Sequence, residues 1–316
     1  MVTLSVSIVV RALNEAAHLP TLLAGIAEQT RQPDQVILVD SGSTDQSAEI
    51  CREAGAEIVL IAPQDFTFGR ALNVGCQAAT GDILVFASAH VYPIDEQWLA
   101  QLVAPFEDNP EVVLVYGRQT GDERTHFSEM EMMRRWFPDV SDPDQEHPFC
   151  NNANCAVRRN VWEQAPYDET LTGLEDMAWA KHALANGQRL WYEAQAGVVH
   201  VHEESIAQTM NRYRREAIAH KKVFGHQKMG FIEATGLFAA NTIRDYIAAI
   251  PRWRLLSNLV SIPRFRYAQF RGAWQGFRQH EDPTSELKRR FYYPKGFTAK
   301  SNRLPAETRY RERPPC

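Results

Sequence analysis

The first 120 residues alternate between short apolar runs and segments with helical periodicity. Runs rich in β-branched and other apolar residues predict strands at 4–10, 35–39, 57–61, 83–87 and 112–116. Helical patterns fill the intervals between these strands. The first two end at about residues 28 and 54, and the next two span 68–79 and 96–106. Because strands and helices alternate at short spacings, the pattern predicts an α/β fold with a mostly parallel, doubly wound, Rossmann-like sheet.

The strand predicted at 83–87 is almost wholly apolar, as expected of a strand that is buried on both faces. It ends abruptly in Ser88-Ala89-His90. Polar side chains at the carboxyl end of a buried parallel strand are where an open α/β sheet binds its ligand. We therefore expect a functional site beside this strand end.

The hydrophobic pattern is looser after Gly117. We predict a mobile loop in the acidic, proline-containing segment 139–148. Further elements are predicted as a strand at 149–157, a helix at 174–186, short strands at 189–192 and 198–201, and a basic helix at 205–224. The segment 231–279 then alternates apolar residues with arginines and aromatics, and the residues from 294 onward are polar.

The composition of the 316-residue chain, 44% hydrophobic and 23% charged, is ordinary for a globular protein. No run of about 18 uncharged apolar residues is present, so no membrane span is predicted. The amino terminus fits a first strand better than a signal peptide. The cysteines form no Cys-x-x-Cys pair, which predicts reduced thiols in a cytoplasmic protein. They are Cys51, Cys76, Cys150, Cys155 and Cys316.

The net charge of −5 conceals an asymmetry between two parts of the chain. Residues 205–316 contain 22 Lys and Arg against 8 Asp and Glu, which leaves 12 against 31 in residues 1–204. A basic extension after an acidic globular part suggests an anionic partner such as a membrane surface. Nucleic acid is the less favoured partner because no nucleic-acid-binding motif accompanies the charge.

Six segments together resemble the family 2 glycosyltransferases of the GT-A fold, and they occur in that family's usual order. They are SIVVRALNEAAHLP, VILVDSGSTDQS, GRALNVG with ATGDILVF, NNANCAVRR, GLEDMAWAKH and VVHVH. The resemblance implies transfer of a sugar from a nucleotide-sugar, with inversion by direct displacement and with help from a divalent metal. It covers about residues 3–205 and leaves the basic extension unexplained.

The resemblance and the composition together predict four segments in the chain. Residues 1–204 would be the catalytic domain, with a nucleotide-binding half at 1–117 and an acceptor half at 118–204. Residues 205–293 would form a mainly helical, basic and aromatic extension, and 294–316 a polar tail. Arginines beside aromatic residues in the extension are typical of helices in a membrane interface, although a solvated basic face over ordinary packing gives the same pattern.

The resemblance also assigns residues to the donor nucleotide-sugar. Asp40 matches the carboxylate that contacts the base or ribose, although an Asx-turn is its alternative role. The remaining donor candidates are Arg11, Asn14, Glu15, Arg70, Asn73, Ser88 and His90. Glu15 also fits a helix-terminal charge, and Arg70 also fits an ion pair with a core carboxylate.

A departure from the family pattern occurs at Ser88-Ala89-His90, where the family usually has Asp-x-Asp with a metal-binding last carboxylate. An imidazole at position 90 favours Mn²⁺ or another transition metal over Mg²⁺. His200 and His202 end a predicted strand with their side chains on the same side. We therefore expect His90 and His202, with His200, to bind a metal or the diphosphate. A metal-free site with a hydrogen-bonded histidine is the alternative.

The acidic pair Glu175-Asp176 opens a predicted helix and matches the family's general base, with Asp176 the preferred candidate and Glu175 the alternative. Asn151, Asn152 and Asn154 match the acceptor and donor-sugar pocket, and Trp179 could stack on a sugar or lie in the core. UDP is the family's commonest nucleotide, and the acceptor would be a saccharide or a lipid-linked precursor of an envelope polysaccharide. A nucleotide-sugar-binding scaffold and a nucleotidyltransferase are the alternative functions.

Overall fold

The computed structural model describes residues 3–225, 228–279, 281 and 283–292, and it confirms the predicted α/β class. Nine strands form one sheet in the described part of the chain. They are β1 (Val6–Ala12), β2 (Gln35–Asp40), β3 (Glu57–Leu60), β4 (Ile83–Ser88), β5 (Val91–Pro93), β6 (Val112–Thr120), β7 (Asp142–Gln145), β8 (Asn154–Arg158) and β9 (Arg189–His200). The predicted tail at 294–316, with Cys316, lies outside the described residues.

The helices cover both faces of the sheet and then form the extension. They are α1 (Leu19–Ala27), α2 (Ser47–Glu53), α3 (Phe68–Ala78), α4 (Trp98–Asp108), α5 (Phe127–Trp136), α6 (Arg159–Gln164), α7 (Glu175–Ala185), α8 (Ile206–Phe224), α9 (Phe231–Ala249), α10 (Leu255–Asn258), α11 (Ser261–Arg278) and α12 (Ser285–Tyr292).

The strands lie in the order β3-β2-β1-β4-β8-β6-β9-β5, with β7 paired to β9 off this path. The first four strands in that order are parallel. Strand β8 runs antiparallel to both of its neighbours, β4 and β6, and β6 is parallel to β9. The carboxyl ends of β1, β2, β4, β6 and β9 therefore meet at one edge of the sheet.

Alternation along β1 assigns its side chains to two cores. Val6, Ile8 and Val10 pack in the core that contains residues of α1 and α4. Val9 points to the opposite face and packs with Leu72 of α3 in the core that also contains residues of α7. A strand covered on both faces is continuously apolar, which is why the first strands could be recognised in the sequence.

Two predictions in the second half of the fold were wrong. The segment 139–148 is not simply a mobile loop, because β7 lies within it and pairs antiparallel with β9. Tyr116 anchors this strand by donating from its hydroxyl to Gln145 at 2.7 Å. The two short strands predicted at 189–192 and 198–201 are one strand, β9, with an irregular register against β6 between Gly117 and Gln119.

The extension packs directly on the sheet domain through α8, α9 and α11, and many of its predicted membrane-facing charges are turned inward. Arg212 pairs with Glu129 and Glu204, and Arg266 is buried against Asp245 at 2.6 Å. Arg214 binds Gln279, Arg215 lies over the Phe68 ring, and Lys221 donates to backbone carbonyls. Arg271 and Arg278 lie over the Trp274 ring. Among the described residues, no helix is long and apolar enough to cross a membrane.

Candidate active site

Three histidines come together at the carboxyl edge of the sheet. His90 follows β4, His200 ends β9, and His202 lies just beyond it. The rings of His90 and His200 are stacked with centroids 5.2 Å apart, and the rings of His90 and His202 are 6.1 Å apart. One nitrogen from each ring lies within 4.8 Å of the other two. Strand β5 contributes to this convergence because Val91 pairs with His200 and places His90 beside the end of β9.

Each imidazole is held at Nδ1 by a side-chain oxygen. His90 contacts Glu15 Oε1 at 3.2 Å, and His200 contacts Gln119 Oε1 at 2.7 Å. His202 contacts Glu129 Oε1 at 2.7 Å. Carboxylate and amide oxygens accept hydrogen bonds, so each Nδ1 carries the proton when the ring is neutral. Each Nε2 then carries a lone pair.

Two of these nitrogens lie close together, since Nε2 of His200 and Nε2 of His202 are 2.9 Å apart. Two lone pairs at this distance repel unless a proton or a cation lies between them. Burial and the neighbouring His202 and His90 lower the pKa of His200 well below its ordinary value, which favours the neutral ring. Histidines that bind a metal through one nitrogen usually donate the other N–H to an oxygen, as all three do here. The donor set therefore fits a transition metal.

The partners Glu129 and Gln119 were missed in the sequence. Glu129 lies on α5, is 2% exposed, and also accepts from Arg212 at 2.6 Å. Burial opposes its ionisation, but Arg212 and His202 outweigh burial and lower the pKa of Glu129 to about 2. The spacing of Phe127, Met130 and Met133 was the available signal for α5, because three-residue steps place apolar side chains on one face of a helix.

The acidic pair lies at the start of α7, beside the end of β4. Arg11 pairs with Ser88 in the β1–β4 register and forms an ion pair with Glu175 at 3.3 Å. Asp176 accepts hydrogen bonds from the backbone N–H groups of Asn152 and Met177. Burial and the adjacent Glu175 raise the pKa of Asp176 to about 7, against the lowering effects of those N–H groups and of Arg11.

Backbone strain accompanies this acidic pair. Leu174, directly before α7, has a left-handed conformation with φ of 57°. That conformation is uncommon for a residue other than glycine and occurs often at functional sites. Glu175 is committed to Arg11 by its ion pair. Asp176 is half-buried and has no cationic partner that close among the described residues, so it is the better placed of the two to accept a proton.

The predicted acceptor residues divide into two groups. Both side-chain polar atoms of buried Asn152 have no hydrogen-bond partner, and Asn151 Oδ1 accepts from the Ala153 N–H. Asn154 instead lies fully buried between strands, donating to Arg118 and Ala196 carbonyls and accepting from Trp98 Nε1 at 2.8 Å. Trp179 lies in the core and donates to the Ala165 carbonyl. The structure thus places Asn151 and Asn152 near Asp176, and it gives Asn154 and Trp179 core contacts.

Hydrogen bonds connect the candidate donor-binding residues on the loops after β1 and β2. Asp40 is buried at the end of β2 and accepts from the Ser43 N–H and hydroxyl, which is the Asx-turn alternative. Burial raises the pKa of Asp40. Asn14, with φ of 57°, accepts a hydrogen bond from the Thr44 N–H at 2.8 Å. This bond connects the loop after β1 to the loop after β2. Glu15 connects the same region to the histidines through His90.

Arg70 and Asn73 lie on α3, on the side of Glu169. Arg70 forms an ion pair with Glu169 at 3.3 Å, as in the alternative expected from the sequence, although Glu169 is partly exposed and is not a core carboxylate. Asn73 donates to Glu169 and to the Tyr167 carbonyl, and its Oδ1 accepts from Trp162 and from the Tyr167 N–H. The amide of Asn73 is therefore fully engaged within the protein. Its contacts fix the loop before α7 and leave no free group for a ligand.

The arrangement has two chemical capacities at one edge of the sheet. Three imidazole nitrogens can bind a cation and thereby hold a phosphate-bearing ligand. A carboxylate with a pKa near neutrality can accept a proton from a hydroxyl. The loops after β1 and β2 supply hydroxyl, amide and carboxylate groups suited to a polar ligand between them.

A family model described as glycosyl transferase family 2 matches residues 7–164, half of the chain. The O-antigen chain rhamnosyltransferase WbaN of Salmonella anatum is 28% identical over 204 residues, which are 61% of this chain and 64% of that protein. The chain thus spans less than two-thirds of the length of this relative.

Two solved structures have a similar fold. One is mannosyltransferase PcManGT from Pyrobaculum calidifontis, in complex with GDP-Man and Mn²⁺, with a TM-score of 0.59 at 19% identity. This match covers 93% of the present chain and 88% of the mannosyltransferase chain. Glucosyl-3-phosphoglycerate synthase from Mycobacterium tuberculosis, in complex with Mn²⁺, UDP and glucosyl-3-phosphoglycerate, has a TM-score of 0.53 at 20% identity and covers 71% and 81%. At these identities the likeness establishes the fold.

Proposed function

The chain belongs to glycosyl transferase family 2, and we propose that it transfers a sugar from a nucleoside-diphosphate sugar to an acceptor hydroxyl with inversion. One observation carries the proposal. Three imidazole nitrogens that lie within 4.8 Å of one another converge at the same sheet edge that holds a carboxylate with a raised pKa. These are the two requirements of the reaction, since the leaving diphosphate must be stabilised and the attacking hydroxyl must lose its proton.

His90, His200 and His202 are proposed to hold a divalent metal. A metal there would neutralise the negative charge that grows on the leaving diphosphate. Mn²⁺ is favoured over Mg²⁺ because imidazole nitrogen is a poor ligand for Mg²⁺. The Pyrobaculum neighbour, a complex with GDP-Man and Mn²⁺, supports a divalent metal in this fold.

Asp176 is proposed as the general base. The acceptor oxygen attacks the anomeric carbon, the bond from that carbon to the diphosphate oxygen breaks, and the hydroxyl proton moves to the Asp176 carboxylate. Direct displacement inverts the anomeric configuration and needs no covalent enzyme intermediate. Arg11 supports this assignment because it pairs with Glu175 and reduces the acidic charge beside the base.

The donor is proposed to lie along the loops after β1 and β2. Asp40, Asn14 and Glu15 line this edge, and Ser88 lies at the end of the adjacent β4. UDP remains the first choice of nucleotide. GDP and dTDP donors are also candidates, because one structural neighbour is a complex with GDP-Man and the Salmonella relative is named a rhamnosyltransferase. Residues 1–204 are proposed as the catalytic unit, since they contain both the histidines and the acidic pair.

The extension is proposed to bind an anionic membrane surface through α9 and α10, so that a lipid-linked acceptor can reach the site. Exposed apolar residues are concentrated there, namely Ile243, Ile247, Ile250, Trp253, Leu256, Leu259 and Val260. Trp253 is 96% exposed and Leu256 is 86% exposed. Exposed arginines occur among them at positions 244, 252, 254 and 264. An apolar surface with interspersed arginines is suited to an anionic lipid interface.

A thermal-shift screen tests the donor and metal assignments. UDP-glucose, GDP-mannose and dTDP-rhamnose are each added with Mn²⁺, Mg²⁺ or EDTA. One donor with Mn²⁺ should raise Tm, since a ligand that binds only the folded state stabilises it. His202→Ala should abolish the Mn²⁺-dependent part, whereas His182→Ala on α7 should not. If no donor stabilises the protein with any metal, the proposal fails.

Two further measurements complete the test. Incubation with the stabilising donor should release a nucleoside diphosphate, whereas release of inorganic diphosphate from a nucleoside triphosphate would indicate a nucleotidyltransferase instead. Flotation with anionic liposomes at low salt tests the membrane surface. The double variant Trp253→Ser/Leu256→Ser should stay unbound, and Val140→Ser, which changes an apolar residue 76% exposed elsewhere, should float like the wild type.

A further inference from the structure

A cavity of about 250 Å³ lies at the carboxyl end of β6, between that strand and α5. Gln119, 2% exposed, lines its buried end. Arg134 and Asp139 line it with exposed side chains and form its rim. Met130 and Met133 supply apolar lining from α5. The residues that line this Gln119 cavity are therefore polar on the strand side and partly apolar on the helix side.

Buried hydrogen-bond donors in the cavity lining have no partner. Gln119 Oε1 accepts from His200 Nδ1, so the amide nitrogen is directed away from that bond, and it is buried without a partner. Arg118 Nε is also buried without a partner, although Arg118 Nη1 pairs with Asp139 at 2.6 Å. Both nitrogens have almost no accessible surface, so a ligand would reach them only after these side chains rearrange. The donors open to the cavity are the partly exposed guanidinium groups of Arg118 and Arg134, which favour a ligand with hydrogen-bond-accepting oxygens.

The lining also sets the charge of the ligand. Arg118 and Arg134 provide two positive charges, which pair with Asp139 and Glu131, respectively. A phosphate or diphosphate group presents several acceptor oxygens and more than one negative charge, so it can replace single carboxylates in such exposed arginine pairs. Met130, Met133 and Phe137 would contact an apolar group attached to it.

The cavity lies between the proposed metal site and the extension. Through Gln119 its buried end is one hydrogen bond from His200. Met130, on its other side, packs with Phe127 in the small core that contains Ala249 and Ile262 and touches Leu255. Leu255 is directly followed by exposed Leu256 of the α9–α10 surface. A group held in the cavity is thus placed between the reacting centre and the surface proposed to face lipid.

We infer that the Gln119 cavity binds the phosphate of a lipid-linked acceptor, an assignment that rests on the proposed transfer function. Arg118 and Arg134 donate to the phosphate oxygens. The apolar lining from α5 contacts the first part of the lipid. In this role the cavity fixes the distance of the acceptor sugar from Asp176.

Calorimetric titration tests the cavity without requiring transfer. Farnesyl diphosphate, farnesol and inorganic diphosphate are titrated into the full chain in EDTA, which prevents metal-dependent binding of diphosphate at the histidines. Farnesyl diphosphate should bind most tightly. Arg134→Ala should weaken its binding about 10-fold, as expected for loss of one charge-assisted contact. Arg135→Ala, which removes the same charge from the next position of α5 outside the cavity, should bind like the wild type.

Three results would overturn the inference. Equal binding of farnesol would show that the phosphate is not recognised, and equal binding of inorganic diphosphate would show that the lipid is not. Unchanged binding by Arg134→Ala and Arg118→Ala would place the ligand elsewhere. The proposed function is judged separately, because stabilisation by a nucleotide-sugar with Mn²⁺ does not involve this cavity. Loss of that stabilisation alongside normal farnesyl diphosphate binding would refute the function and leave a phosphate-binding cavity.

Discussion

Glu129→Gln should both destabilise the protein and weaken the proposed metal site. The carboxylate is 2% exposed and holds His202 at 2.7 Å and Arg212 at 2.6 Å. Its pKa falls from the ordinary 4.5 to about 2. At about 1.4 kcal/mol per pKa unit, that shift corresponds to roughly 3 kcal/mol of stability at neutral pH. Because the Glu129 carboxylate is almost fully buried, solvent screens its interactions with His202 and Arg212 only weakly.

The sign of the pH dependence follows from the depressed pKa. This stability is fully present above the unfolded pKa of about 4.5, and it is lost as pH falls toward the folded value of about 2. Urea denaturation at pH 7 should therefore give a free energy of unfolding lower by about 3 kcal/mol for Glu129→Gln. The difference from wild type should shrink as the pH is lowered below 4.5.

Metal binding is the second measurement on the same variant. His202 and Arg212 both contact the same oxygen, Glu129 Oε1. A glutamine keeps one oxygen for them but loses the negative charge, so its hold on His202 Nδ1 is weaker and His202 Nε2 is less firmly directed. Loss of such a partner behind a ligand typically weakens metal binding by about 10- to 100-fold. Glu204→Gln is the matched control, because the Glu204 carboxylate pairs with Arg212 at 2.8 Å, whereas His202 Nδ1 is held by Glu129. Wild-type Mn²⁺ affinity in Glu129→Gln would refute the positioning role.

Asp176→Asn should lower the transfer rate by about 100-fold or more, since general-base catalysis contributes roughly 10²–10⁴-fold. Donor-induced thermal stabilisation should remain in this variant. A fully active variant would exclude Asp176 as the base. The wild-type transfer rate should rise with pH and level off above about 7, because Asp176 must be unprotonated to accept the proton. A pH–rate profile that is flat from about 5 to 8 would contradict the assignment of Asp176 as the base. Asp245→Ala should destabilise the protein by about 3–5 kcal/mol in urea denaturation, because it leaves Arg266, 1% exposed, as an unpaired buried charge; Asp245→Ala with Arg266→Met should recover much of that loss.

The sequence predicts the first half of the fold well because its signals are local. A strand such as β4 is an uninterrupted apolar run bounded by Gly81 and Ser88, and its burial on both faces is visible in the residues themselves. Strand β7, with the sequence DPDQ, carries no such signal. It exists because Tyr192 and Leu190 of β9 offer a pairing edge, and that edge is created only by the folded sheet.

The candidate site shows the same division between local and distant information. Alternation in VVHVH placed His200 and His202 on one side of a strand, and the structure brings them together with His90. The groups behind them could not be predicted by spacing, because Gln119 is 81 residues from His200 and Glu129 is 73 residues from His202. The inward-facing charges of the extension could not be recognised for a related reason. A pattern of arginines beside aromatics does not reveal that Arg266 has a buried partner, Asp245.

In the proposed site, the three histidines place the acidic groups behind the metal ligands instead of among them. In the usual family pattern a carboxylate binds the metal directly, whereas here Glu15 and Glu129 hold His90 and His202 by Nδ1 and leave only neutral nitrogens at the centre. Glu129 is further neutralised by Arg212. A cation bound among neutral ligands keeps more of its charge for the diphosphate than one bound by carboxylates, but the ligands attract it less strongly. We therefore expect metal and donor to bind cooperatively, so that the Mn²⁺ affinity measured with the nucleotide-sugar exceeds the affinity measured without it. Equal affinities would contradict the proposed effect of replacing carboxylate ligands with histidines.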